Sequence, residues 1–211
     1  MQYFYDLSQK TFLVQGIHNI PQSAIPVHEK DYQLLIDGRS KGREIVLMGK
    51  TLTLTTPRPS AYHEWDGTKW DIEQSQQAIK RAKEIARMRE TINVFRDQKI
   101  NGGVYVESVG RWIDTDATAE RNLLSVKSSF DLFGDSVGEI AWTCADNSTL
   151  MIDKSKLMLI WQALMQAKTS NHANALRHKT AVEQSENPLE YDYSGGWSKT
   201  YQDFLVEQGN E

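Results

Sequence analysis

Residues 73–97 contain neither glycine nor proline, and this uninterrupted stretch divides a chain that is otherwise heavily punctuated. Within it Ala78, Ala82, Ile85, Met88, Ile92 and Phe95 recur at threes and fours, the spacing of one helix face. Lys80, Arg81, Lys83, Arg87 and Arg89 fill much of the remainder, so the spacing predicts an amphipathic helix with a solvated basic side over 73–98. Three heptads are just enough for self-association through 73–97 to be an expectation. A long helix flanked by short apolar runs restricts the chain to an α+β class. The expected parts are a small amino-terminal β-rich module at 1–72, the helix as connector, an α+β domain at 99–203 with short hairpins and two or three helices, and a tail at 204–211.

Before the helix, β-forming residues cluster in Tyr3-Phe4-Tyr5 and Phe12-Leu13-Val14, which predicts two strands turning near Ser8-Gln9-Lys10. A short helix is expected at 29–36, ended by Gly38. Ile45-Val46-Leu47 and Leu52-Thr53-Leu54 read as a hairpin around Gly49-Lys50, stopped by Pro57 and Pro59, which have no N–H for a ladder. Residues 62–72 read as a second hairpin turning at Asp66-Gly67, with Trp65 and Trp70 flanking the turn.

After the helix, Asn101-Gly102-Gly103 marks a turn. Val104-Tyr105-Val106 and Arg111-Trp112-Ile113 are expected to pair. Asp114-Thr115-Asp116 offers a cap for a helix bearing Leu123, Val126 and Phe130, which Gly134 would close. Ile140-Ala141-Trp142-Thr143 and Thr149-Leu150-Met151-Ile152 form a further hairpin pattern. A long helix capped by Ser155 then either runs toward Val182 or breaks near Thr169-Ser170-Asn171.

Chemistry is sparse. Gly134-Asp135-Ser136-Val137-Gly138 matches G-x-S-x-G, but a helix precedes it and a strand follows, the reverse of a nucleophile elbow, so a helix-ending turn is expected. His172 and His178 are six apart, not the i, i+4 of helical zinc pairs, and the single cysteine offers no cluster, so no metal or cofactor is expected. Cys144 reads as a core thiol. Asp114-Thr115-Asp116 lacks the glycine and the acidic twelfth ligand of a calcium loop. A net charge of −4 gives no bulk attraction to nucleic acid or anionic membrane, and no apolar run is long enough for a spanning helix.

Order along the chain carries a resemblance. Ile20-Pro21 through Gly38-Arg39-Ser40-Lys41-Gly42, Ile45 and the Pro57/Pro59 exit resemble phage tail fibre assembly proteins, and Tyr62-His63-x-Trp65-Asp66-Gly67-x-Lys69-Trp70 is similar to an aromatic hairpin often found after them. Ile100-Asn101-Gly102-Gly103-Val104, Ile113-Asp114-Thr115-Asp116, Trp142 and Asp146-Asn147 resemble a phage domain of unassigned function. Where the family often carries Asp/Asn-Gly-x-Pro, this chain has Met48-Gly49-Lys50-Thr51. The resemblance implies a non-enzymatic helper acting in the host bacterial cytoplasm, whose partner is the carboxyl-terminal region of a trimeric phage tail fibre protein. It also implies an alternative, retention at the fibre tip with a part in host recognition. Tyr62, His63, Trp65, Trp70 and Trp197 are the expected partner-binding residues, because aromatic side chains dominate binding hot spots.

Overall fold

The computed structural model describes residues 1–209 of the chain and divides into two compact units, Met1–Lys80 and Arg81–Glu211. The fold class is α+β: helices and small antiparallel sheets alternate without a parallel sheet among the described residues.

The amino-terminal unit is built on β1 (Tyr3–Asp6), β2 (Thr11–Val14) and β3 (Ile25–Val27), ordered β2-β1-β3. The third strand, with Pro26 at its centre, was not expected. It pairs opposite Phe4 at the sheet edge, where a missing N–H is tolerated. Helix α1 (Glu29–Ser40) is one turn longer than predicted. Gly38 does not end it; it is buried in the last turn, where a side chain would run into Leu54. The left-handed residue that follows the helix is Gly42, at φ +75°. Tyr32 of α1 stacks on Tyr3 at 4.0 Å between ring centroids and meets Phe12 edge-on at 4.9 Å. Tyr5, Val27, Leu35 and Ile45 form the fully buried centre.

The hairpin of β4 (Arg43–Met48) and β5 (Thr51–Pro57) lies against α1 and turns through Gly49-Lys50. Gly49 at φ +64°, with an ordinary φ at Lys50, is the pattern of a type II′ turn, whose twist suits a hairpin. A second, shorter hairpin pairs β6 (Glu64–Trp65) with β7 (Trp70–Asp71).

Helix α2 (Gln74–Asn101) begins in the first unit and continues into the second. It is more than a connector. Beyond Arg81 its Ile85, Met88 and Ile92 pack on Ala175 and Val182, so the apolar face considered for self-association is occupied within the carboxyl-terminal unit.

The carboxyl-terminal unit adds the hairpin β8 (Val104–Val106) and β9 (Arg111–Ile113), helix α3 (Ala117–Phe133), the hairpin β10 (Ile140–Thr143) and β11 (Thr149–Ile152), and helix α4 (Lys154–Gln184). Asp116 caps α3 through the amides of Thr118 and Ala119. Asp153, not Ser155, caps α4 by accepting from the Lys156 amide at 2.7 Å. Helix α4 does not break at Asn171; it is the spine of the unit. Its Leu157, Ile160 and Leu164 join Val106, Ile113, Leu123, Phe130, Trp142 and Ile152 in one core, and its Ala175 and Val182 join a second. Each such aliphatic side chain contributes roughly 1.5–3 kcal/mol by leaving water. Cys144 sits in the first core, where burial pushes its thiol up and away from the reactive thiolate.

Asn171, Asn174 and His178 occupy the same buried stripe of α4 and fasten the segment 191–200. Asn171 donates to the Ser198 hydroxyl and accepts from its amide, and Asn174 donates to the Gly195 carbonyl at 3.0 Å. His178 donates from Nε2 to the same carbonyl at 2.8 Å, and its Nδ1 is 2.8 Å from the Tyr191 hydroxyl. The tail expected at 204–211 is instead largely helix α5 (Tyr201–Gly209), and its last two positions lie outside the described residues.

Several turns are held by carboxylates. Backbone amides of Lys69 and Thr68 hold Asp66 below its ordinary value, and the Ser148 hydroxyl and amide do the same for Asp146. A depressed carboxylate stabilises the fold above its unfolded value, about 3.9, and loses that contribution as pH falls through the lower folded value. Thermal midpoints should therefore be insensitive to these two groups above about pH 4 and drop below it. Carboxyl chemical shifts of Asp66 and Asp146, followed from pH 6 to 2, should show midpoints below that of an unstructured peptide.

Candidate functional site

Four of the five aromatic residues expected to bind a partner lie together because one short hairpin carries them. Asp66 accepts from the Thr68 and Lys69 amides, and its own amide donates to the Lys69 carbonyl at 3.0 Å, closing the loop between β6 and β7. This places Trp65 opposite Trp70, ring centroids 5.5 Å apart and edge to face. Both rings are half-buried. The Trp70 indole N–H donates to the Thr56 carbonyl at 2.8 Å, and Arg58 lies over its ring at 5.5 Å. Arg58 also donates to the carbonyls of His63 and Ala61. The Ser60 hydroxyl shares a hydrogen bond with His63 Nδ1 at 2.8 Å and accepts from the Tyr62 amide. The Pro57–Pro59 exit is thus a bracket that fixes the hairpin to the end of β5.

Trp197 is not part of this cluster. It belongs to the carboxyl-terminal unit and packs into its second core. Its ring stacks on His178 at 5.5 Å and meets Phe95 edge-on, and its N–H donates to the Tyr193 carbonyl at 2.6 Å. These contacts make it a structural ring.

Two apolar surfaces escaped the sequence reading. At the tip of the β4–β5 hairpin Leu47 and Met48 are 41% and 48% exposed. Between α3 and α4 an open groove is lined by Phe130, Leu157, Met158 and Trp161, with Lys127 and Lys154 at its rim. The alternation of hydrophobic residues that signals burial does not say which rings and methionines stay outside.

The G-x-S-x-G string is a helix-ending turn: Gly134 closes α3 at φ +57° and the Ser136 hydroxyl donates to the Phe133 carbonyl. Among the described residues no group of three or more His, Cys, Asp or Glu side chains is placed to hold a metal ion, and no helix is long and apolar enough to cross a membrane.

Residues 81–195 match the model of a family described as a domain of unknown function, DUF4376. The chain belongs to this family. The DUF4376 region begins inside α2, at the boundary between the two units, and ends within the segment fastened to α4. No curated protein and no solved structure matches the chain.

Proposed function

We propose that this DUF4376 chain is an assembly helper for a phage tail fibre, which binds the carboxyl-terminal region of the fibre protein and promotes its folding and trimerisation without chemical turnover. The observation that carries the reading is the β4–β5 ladder. It is a sheet of only two strands, so each strand has one edge without a partner strand, and its tip exposes Leu47 and Met48. Natural proteins usually cover or charge such edges, because they template the addition of another strand. Trimeric β-rich fibres have the converse need. Their non-local pairings form slowly and leave edges open until the third chain arrives. A small sheet that lends an edge by strand addition, with apolar side chains beside it, would hold such a segment until the trimer closes. The resemblance of residues 20–70 to tail fibre assembly proteins supports the same assignment.

Co-expression with the fibre protein encoded alongside tests this. Soluble, SDS-resistant trimer should rise several-fold when the chain is present. The double variant Leu47→Lys/Met48→Glu, which alters only exposed positions, should return the yield to that of the fibre alone while leaving the far-ultraviolet spectrum unchanged. Equal trimer with and without the chain would rule the reading out.

A further inference from the structure

A second groove runs along the β8–β9 hairpin, and nothing in the proposed helper role uses it. Its floor is Trp112, whose ring contacts Tyr105 at 5.5 Å, Phe204 at 5.6 Å and Tyr201 at 5.8 Å between centroids. Four rings from two distant parts of the chain thus form one aromatic cluster, with Trp112 buried at its base. Tyr105, at its edge, is 47% exposed on a hairpin that could have carried any polar residue there.

The rim is polar and its charges balance. Glu107 and Asp146 stand against Arg111 and Lys199. Lys199 is paired with Glu207. Among the described residues Arg111 donates to the neighbouring Gly110 carbonyl and its charge helps to lower the Asp146 carboxyl, while the Glu107 carboxylate has neither a hydrogen bond nor an ion pair. The groove therefore offers an uncommitted acceptor, Glu107, and a donor, Arg111, with N–H groups to spare beside a wall of rings. Its volume, about 690 Å³, is in the usual range for small-molecule sites, roughly 300–1,000 Å³.

We infer that this groove binds a neutral saccharide. A pyranose ring has an apolar C–H face that lies on an aromatic ring, and hydroxyls at its rim that both donate and accept. Tyr105 supplies the exposed platform, with the half-buried rings of Tyr201 and Phe204 beside it over the buried Trp112; Glu107 accepts from hydroxyls and Arg111 donates to them. With two carboxylates and two positive side chains the rim carries no net charge, so it gives no ionic advantage to an anion or a cation, and a neutral ligand fits it. A polyproline segment also docks on aromatic grooves, but its prolines have no N–H to give the two carboxylates. The inference concerns a different surface from the strand edge of the helper reading, and either stands without the other.

A printed array of neutral and charged glycans, probed with fluorescently labelled full-length protein, tests it. Retention should be confined to neutral glycans. Tyr105→Ala should lower the apparent affinity at least about tenfold. Glu107→Gln, which keeps the shape and removes the charge-assisted acceptor, should lower it about three- to tenfold. Both positions are exposed, so unchanged circular dichroism is expected and controls for folding. The assignment falls if no glycan is retained above the level of the Tyr105→Ala/Glu107→Gln double variant, if only charged glycans are retained, or if decaproline shifts the Trp112 indole resonance saturably and the retained glycans do not.

Discussion

Tyr5→Ala should unfold residues 1–80 and leave the carboxyl-terminal unit folded. Tyr5 is 1% exposed on the central strand of the three-stranded sheet, where its ring meets Phe12 at 4.9 Å. Among the described residues Val27, Leu35 and Ile45 share the fully buried centre with it. Truncating a buried aromatic ring costs about 3–5 kcal/mol. A unit of this size has a total stability of roughly 4–12 kcal/mol, so that single change removes a large fraction of what holds it. The second unit has its own two cores and no side chain in this cluster. Limited proteolysis should therefore digest the amino-terminal unit of the variant and leave a resistant fragment beginning near α2. Tyr5→Phe, which keeps the ring, should resist as the wild type does. Loss of both units together in Tyr5→Ala would show that their cores are not independent.

His178→Ala should release residues 191–200 from α4. The side chain is 5% exposed, bridges the Tyr191 hydroxyl and the Gly195 carbonyl, and carries the stacked ring of Trp197. Its removal leaves the Gly195 carbonyl with Asn174 as its remaining donor and a cavity beneath an indole, at a cost of about 2–4 kcal/mol. Gly196→Ala attacks the same lock from the backbone. Its φ of +81° disfavours a side chain, and an added Cβ would lie 2.7 Å from the Asn174 carbonyl oxygen of the side-chain amide. Both variants should unfold at lower urea concentration than the wild type and show red-shifted tryptophan emission, because Trp197 becomes wet. Unchanged emission in both would mean that Phe95 and Tyr193 hold the ring without the lock.

The hairpins were legible because their information is local. Asp66-Gly67 and Gly49-Lys50 close turns with atoms a few residues away. The same locality brought Tyr62, His63, Trp65 and Trp70 into one candidate site. Strand β3 was hidden because Pro26 is excluded from strands only where its nitrogen must donate, and an edge position removes that need. Helix α5 did leave a signal. Thr200 and Asp203 exchange amide-to-side-chain hydrogen bonds, a reciprocal cap written in the sequence as Thr-x-x-Asp. Thr169-Ser170-Asn171 offered a place for α4 to break, since such residues favour turns, yet Asn171 and, one turn on, Asn174 are where the helix buries its contacts to the following segment. The aromatic groove could not be read at all. Trp112 meets Tyr201 and Phe204 only after the chain has passed through two helices and a second hairpin.

The seam between the two units falls within α2, not in a loop, and the residues around it include no glycine or proline. Any recombination that traded one amino-terminal head for another would be spliced helix onto helix. The incoming piece would need a final turn or two able to hand a growing helix across.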